Sequence, residues 1–294
     1  MPLIRVSKPE RSDQLIPTLH SAGLITQPHD FIRAIRPYSY LKHPSLTDMD
    51  DAFTKYGFTP LPADQTKTAP STTEPAALDI KDLEPPHSPL ADRIDKYAKG
   101  KLSPDTYRHS LRVYSYGRAI AQECFPQWGL TSGSALDETW FLTALLHDIG
   151  TTDDIIHNTR LSYEFYAGYH ALDILQDVRV TGGEGIAPRD QAEGVAEAII
   201  RHQDIQDKGY VTLVTRLIHL GTLLDNIGAG GHLIHPDTIE SIVKALPRPK
   251  WSGCFAATVA KEKEYKPYTM VSRIDGFEEK ITSNGKDGLM CKHD

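Results

Sequence analysis

Apolar residues recur at helical spacing over most of the chain from Ser88 onward, and signals for helix starts are dense there. Ser88-Pro89 and Ser103-Pro104 each place a capping hydroxyl before a proline at the first helical position, where the missing N–H costs nothing. The pattern predicts helices near 89–99, closed by Gly100, and near 104–125, 137–148, 163–177, 190–203, 211–227 and 237–246. Asp190 with Glu193 and Asp237 with Glu240 look like capping boxes. No period-2 strand series or Asn-Gly hairpin interrupts this region, and Gly182 to Pro188 reads as a loop. The expected fold class is therefore all-α, a helical bundle or orthogonal array forming one domain over residues 88–282, with a tail at 283–294.

The pattern changes upstream. Seven prolines fall between Pro60 and Pro89 among Thr, Ser, Ala and Asp, so residues 60–87 have little apolar surface to offset their ordering entropy and read as a linker or a surface-hugging segment. Residues 1–59 form an irregular N-terminal extension with a short helix at Asp48 to Tyr56.

Composition narrows the function classes. A length of 294 residues with 39% hydrophobic content supports a sizeable core. No apolar run approaches the roughly 18 residues needed to span a bilayer, and Met1 to Lys8 contains no leader-like apolar stretch. Three scattered cysteines, Cys124, Cys254 and Cys291, suggest neither a disulfide framework nor a thiolate zinc site, and a reducing compartment, the cytoplasm or nucleus, is expected. A net charge of −7 with no basic stripe argues against nucleic acid or an anionic membrane as partner. Small-molecule chemistry remains, in a monomer or a homo-oligomer.

Four residues then stand out. His109 is in register with Val113, Tyr116 and Ile120, which turns it to the buried side of its helix. His147 and Asp148 close the apolar run Trp140 to Leu146, just before Ile149-Gly150. Asp225 continues the face of Val214, Ile218 and Gly221, where an unpaired carboxylate would carry a large desolvation cost that a cation would remove. Singly, each has an ordinary reading as a hydrogen-bonded core histidine, a chance dipeptide or a helix-end carboxylate. Together, two imidazoles and two carboxylates directed inward from three helices form a nitrogen and oxygen site suited to zinc, iron, manganese or cobalt.

The stretches Leu102 to Ser110, Leu145 to Thr151, Asp190 to His202, Thr222 to Ala229 and Ala256 to Glu262 resemble the HD-domain metalloenzyme superfamily, and more closely the fungal cyanamide hydratases, over roughly Tyr56 to Ile281. The resemblance implies an all-α HD-domain bundle, one Zn2+ held by His109, His147, Asp148 and Asp225, and hydration of the neutral nitrile cyanamide to urea. Lys266 to Met270 and Trp251 to Phe255 depart from the family pattern, and the segments 60–87 and 181–189 look longer than in the hydratases.

Within this reading, His202 follows Val195 and Ile199 on one helical face and is the candidate for delivering a proton to the nitrile nitrogen, since imidazole titrates near neutral pH. Asp148 is a candidate both for ligation and for accepting a proton from water. A phosphohydrolase using the same metal core is the competing enzyme. It would need cationic clamps, whereas Arg108, Arg112, Arg160 and Arg201 are expected to point outward as solvated charges. A non-catalytic, metal-stabilised regulatory protein is the third reading.

Overall fold

The structure is a computed structural model that describes residues 46–177 and 185–294. Eleven α-helices and one two-stranded ribbon are found among the described residues: α1 (Leu46–Lys55), β1 (Pro60–Pro62), α2 (Pro89–Lys101), α3 (Pro104–Cys124), α4 (Ala135–Leu146), the single turn α5 (Asp153–Ile156), α6 (Tyr163–Gln176), α7 (Arg189–Arg201), β2 (Tyr210–Thr212), α8 (Leu213–Ile227), α9 (Pro236–Ala245), α10 (Trp251–Tyr265) and α11 (Phe277–Lys286). The fold is all-α, as expected. No helix among the described residues is long and apolar enough to cross a membrane.

Helix α3 runs through the centre, with every residue from Arg112 to Ala121 buried. It can do so because glycines open two close approaches. A Cβ on Gly117 would fall 2.4 Å from the Trp140 ring of α4, and one on Gly221 of α8 would fall 2.7 Å from the Val113 carbonyl of α3. The second contact fixes the site. His109 lies one turn before Val113 and Asp225 one turn after Gly221, so antiparallel passage of α3 and α8 brings the two together.

Several starts differ from the sequence pattern. Ser88 and Ser103 cap α2 and α3, accepting from the backbone N–H groups of Ala91 and Thr106. The two acidic boxes do not form. Pro188 and His235 occupy the cap positions, leaving Asp190 and Asp237 inside the first turns. Helix α8 begins at Leu213 because Tyr210–Thr212 extends to pair antiparallel with Pro60–Pro62, an edge position that tolerates prolines. Helices α10 and α11 carry no start signal to read: they follow Lys250 and Gly276, both at positive φ, with no side-chain cap.

Residues 60–87 lie along the domain. Leu83 is buried, Leu78 N–H donates to Thr238 Oγ1 at 2.8 Å, and Ser71 N–H donates to the Cys124 carbonyl at 2.7 Å. The stretch expected as a tail is packed instead: Asn284 and Met290 are buried, and Asp294 forms an ion pair with Arg248 at 2.8 Å. Expectations for residues 1–45 and for residues 182–184 of the loop fall outside the described residues.

Candidate metal centre

Four helix ends and helix faces converge on one buried point. His147 is the C-cap of α4, and its Nδ1–H donates to the Ala144 carbonyl three residues back at 2.8 Å, which turns Nε2 inward. His202 repeats this arrangement at the end of α7, with Nδ1–H on the Ile199 carbonyl at 2.7 Å. His109 enters from α3. Its Nδ1 is 2.6 Å from Asp225 Oδ2, its ring stacks on Trp251 with centroids 4.3 Å apart, and its Nε2 faces His147. Asp148 stands in the turn after α4, and neither of its buried carboxylate oxygens has a hydrogen-bond partner.

The donor atoms of His109, His147 and Asp148 come together. His109 Nε2 is 3.3 Å from His147 Nε2, and Asp148 Oδ2 is 3.3 Å from His147 Nε2 and 3.7 Å from His109 Nε2. Ligands bound at about 2.0–2.2 Å in a tetrahedron are separated by about 3.3–3.6 Å, so the triangle has the edge lengths of a zinc-type site. The chemistry agrees with the geometry. Because both Nδ1 atoms are engaged on acceptors, two nitrogen lone pairs and an unpartnered carboxylate oxygen face one another, an arrangement that calls for a cation. A buried cluster of His109, His147 and Asp148 capable of holding a metal ion is present.

Asp225, expected as a fourth ligand, is placed against the other nitrogen of His109. Burial pushes its carboxyl upward, but Arg112 and Arg248 outweigh this and hold it well below the usual carboxylate range. Arg112 Nη2 donates to Oδ2 at 2.8 Å and its Nε to Oδ1 at 3.0 Å, while Arg248 Nε lies 3.4 Å from Oδ1. The cation that a buried carboxylate required is thus supplied by two guanidinium groups. Arg112, expected at the surface, is fully buried for the same reason. It lies three residues from His109 on the same helical face, which was the available sequence signal.

His202 sits at the rim of the triangle, with Nε2 3.9 Å from Asp148 Oδ1 and 3.1 Å from the Tyr163 hydroxyl. Burial first, and then the neighbouring His147, lowers its pKa to about 3, so the ring is neutral, with Nδ1–H donating and Nε2 accepting. Tyr163 also receives a hydrogen bond from Gln203 Nε2 at 2.9 Å. From sequence, the Tyr163 to Tyr166 segment borders a pocket or, as the ordinary reading of a tyrosine at a helix start, is packing. The structure ties Tyr163 to the centre through Gly150, where a Cβ would fall 2.2 Å from the Tyr163 carbonyl. Next to it, Glu164 is buried with both oxygens unpartnered. Burial, then Glu262 and Asp148, raises its pKa to about 8.

The departing segment at 266–270 has a structural task. Buried Lys266 pairs with Glu262 at 2.8 Å and donates to the Leu161 carbonyl at 2.9 Å, and the Met270 N–H reaches Ser162 Oγ at 3.3 Å. Glu262 Oε1 in turn accepts the Tyr163 N–H at 3.1 Å. These contacts anchor the start of α6, and with it Tyr163, against α10.

Two curated relatives decide the family. The chain is 36% identical over 231 residues to the cyanamide hydratases DDI2 and DDI3 of Saccharomyces cerevisiae, a match covering 78% of this chain and 97% of each relative. The chain belongs to the cyanamide hydratase family. No protein-family model matches it. In this member of the cyanamide hydratases, the buried His109, His147 and Asp148 cluster is assembled by the C-cap of α4, the turn after it and the face of α3.

Proposed function

We propose that the protein hydrates the C≡N bond of cyanamide to give urea at a single Zn2+ ion held by His109, His147 and Asp148, in an HD-domain type of centre. The observation that carries the metal assignment is the triangle of 3.3, 3.3 and 3.7 Å among three acceptor atoms with no donor between them. The donor set also suits iron, manganese or cobalt, with zinc favoured by the short, nearly tetrahedral edges. A bound ion of this kind supplies Lewis acidity, which acidifies water and polarises the nitrile.

The residues of the chain then handle protons. Hydration forms one C–O bond, breaks a C≡N π bond and expels no leaving group, so each proton lost by water must reach nitrogen. The Nε2 of His202, beside Asp148 Oδ1, is placed to take a proton from the attacking water once the Tyr163 O–H that occupies its lone pair at rest turns away, and to return that proton to the nitrile nitrogen. Tyr163 O–H holds that imidazole and is itself held by Gln203. The turn at Gly150 sets Asp148 and Tyr163 at a fixed spacing.

The neutral substrate is consistent with the charges around the centre. A phosphate ester would need free cations, yet Arg112 and Arg248 are committed to Asp225, Arg108 to Asp105 and the Pro247 carbonyl, and Arg201 to the Tyr210 carbonyl, Glu197 and Asp204. Arg160 is exposed. The deciding experiment is urea release from cyanamide by the purified protein, with metal content measured on the same sample and a phosphate-ester panel run beside it. Urea formation that disappears on chelation and returns with Zn2+ supports the proposal; phosphate-ester turnover without urea would replace it.

A further inference from the structure

A second site lies away from the metal centre. A cavity of about 430 Å3 opens between the strap at 65–70, the end of α3 and the outer face of α8, with Arg216, Phe125, Trp128, Leu220, Leu233 and Thr68 among its lining residues. That volume is within the range of small-molecule sites. Three of these side chains, Phe125, Leu220 and Leu233, are buried apolar groups, and the Phe125 and Trp128 rings stack nearly parallel with centroids 4.1 Å apart.

Arg216 is the unusual member. Only 2% of the residue is exposed. Its Nη2 donates to the Pro62 and Ala63 carbonyls at 2.5 and 2.9 Å, while Nε and Nη1 have no hydrogen-bond partner. Among the described residues no carboxylate forms an ion pair with it, and Asp64 acts on it only at longer range. The nearest candidate, Asp64, directs Oδ1 to the N–H and hydroxyl of Thr66 at 3.0 and 2.7 Å. A buried guanidinium with two unsatisfied nitrogens and no hydrogen-bonded carboxylate is a costly arrangement, and a ligand would complete it. Thr68 Oγ1, on the same cavity wall, is likewise buried and without a partner.

We infer that this cavity is a binding site for a small aromatic monocarboxylate, whose carboxylate neutralises Arg216 and bonds Thr68 and whose ring packs in the apolar part beside Trp128. One cation matches one negative charge. A phosphate dianion would need further cations, and among the described residues the one other basic side chain lining the cavity, His232, is exposed. The inference is independent of the cyanamide reaction.

The test uses the full chain and 2-naphthoate as probe, with binding followed by calorimetry and by the fluorescence of Trp128, the one tryptophan of three that is not buried. One saturable site per chain is expected, with 2-naphthamide at least tenfold weaker and inorganic phosphate not competing. Arg216→Gln should weaken naphthoate at least tenfold, and Ala69→Phe, at an exposed lining position, should block it while melting like the parent. If Arg216→Gln does not fold because β1 loses its tether, the amide comparison and Ala69→Phe decide. Equal affinity for acid and amide, unchanged binding in Ala69→Phe, or no saturable binding would each overturn the inference.

Discussion

His109 and Asp225 meet at 2.6 Å, Nδ1 to Oδ2, across two helices that touch backbone to backbone at Gly221. The contact gives the imidazole a fixed tautomer and direction, so that Nε2 is presented to His147 and Asp148. The same carboxylate is held by Arg112 and Arg248, and its backbone carbonyl accepts from Asn284 Nδ2 at 3.1 Å. One residue thus links the metal cluster to α3, α8, α11 and the loop before α10.

That arrangement separates the ligands from their support. Asp148→Asn and His147→Ala are expected to lose bound metal on elemental analysis, since both remove a donor atom of the triangle. Asp225→Asn should keep a site that fills at saturating Zn2+, with affinity about 10- to 100-fold lower, the usual cost of losing a partner behind a ligating imidazole. It should also melt earlier, by about 3–5 kcal/mol, because two buried guanidinium groups lose their counter-charge. A variant at Asp225 with parental melting would remove the buttressing role.

Turnover is expected to depend on His202 far more than metal binding does. His202→Ala should retain its metal and lose on the order of 100-fold in cyanamide turnover. Tyr163→Phe, which keeps the ring and deletes only the hydroxyl at 3.1 Å from His202 Nε2, should lose about tenfold, roughly the worth of one charge-neutral positioning bond. Steady-state urea production with metal content measured in parallel checks both, and near-parental rates in His202→Ala would discard its proton-transfer role.

Gly150 sets the distance between the turn carrying Asp148 and the start of α6. Its missing Cβ would fall 2.2 Å from the Tyr163 carbonyl, a backbone atom that cannot swing aside. Gly150→Ala should therefore cost about 1–3 kcal/mol as an overpacking change and reduce turnover by displacing Tyr163 from His202. Denaturant melts together with urea production test this, and an alanine variant with parental stability and rate would show the turn to be compliant.

Stability should respond to pH through two residues that act in opposite directions. Glu164 has its pKa raised from 4.5 to about 8, so the folded state binds the extra proton between those values and its contribution is lost as pH rises through that window. His219 runs the other way. Burial lowers it from 6.5 to about 4, so the unfolded state binds the extra proton and stability falls as pH drops below 6.5. In guanidinium melts at pH 5 to 8, Glu164→Gln should flatten the loss of stability with rising pH and His219→Gln the loss below pH 6.5, each by an amount on the order of a few kcal/mol. Parallel parental and variant profiles would contradict the assignment of these protons.

The periodic apolar pattern and the Ser-Pro starts were enough to determine that this is an all-α protein and where α2, α3, α4, α6 and α9 lie, because caps and amphipathic faces are local properties. The inward direction of His109, His147, Asp148, Asp225 and His202 was likewise legible, since a helical face is read from spacing. What the partners of those residues are was decided by tertiary structure alone. Helix spacing shows that the Asp225 carboxylate is buried and needs a positive charge, but Arg248 comes from a Pro-flanked loop and Arg112 from a neighbouring helix, and only the crossing at Gly221 brings them together. The helices at 251–265 and 277–286 were hidden because each begins at a positive-φ residue with no capping side chain. Tyr163 became visible as part of the centre only once α6 was anchored to α10 through Lys266 and Glu262, contacts about a hundred residues apart in the chain, a separation over which local pattern carries no information.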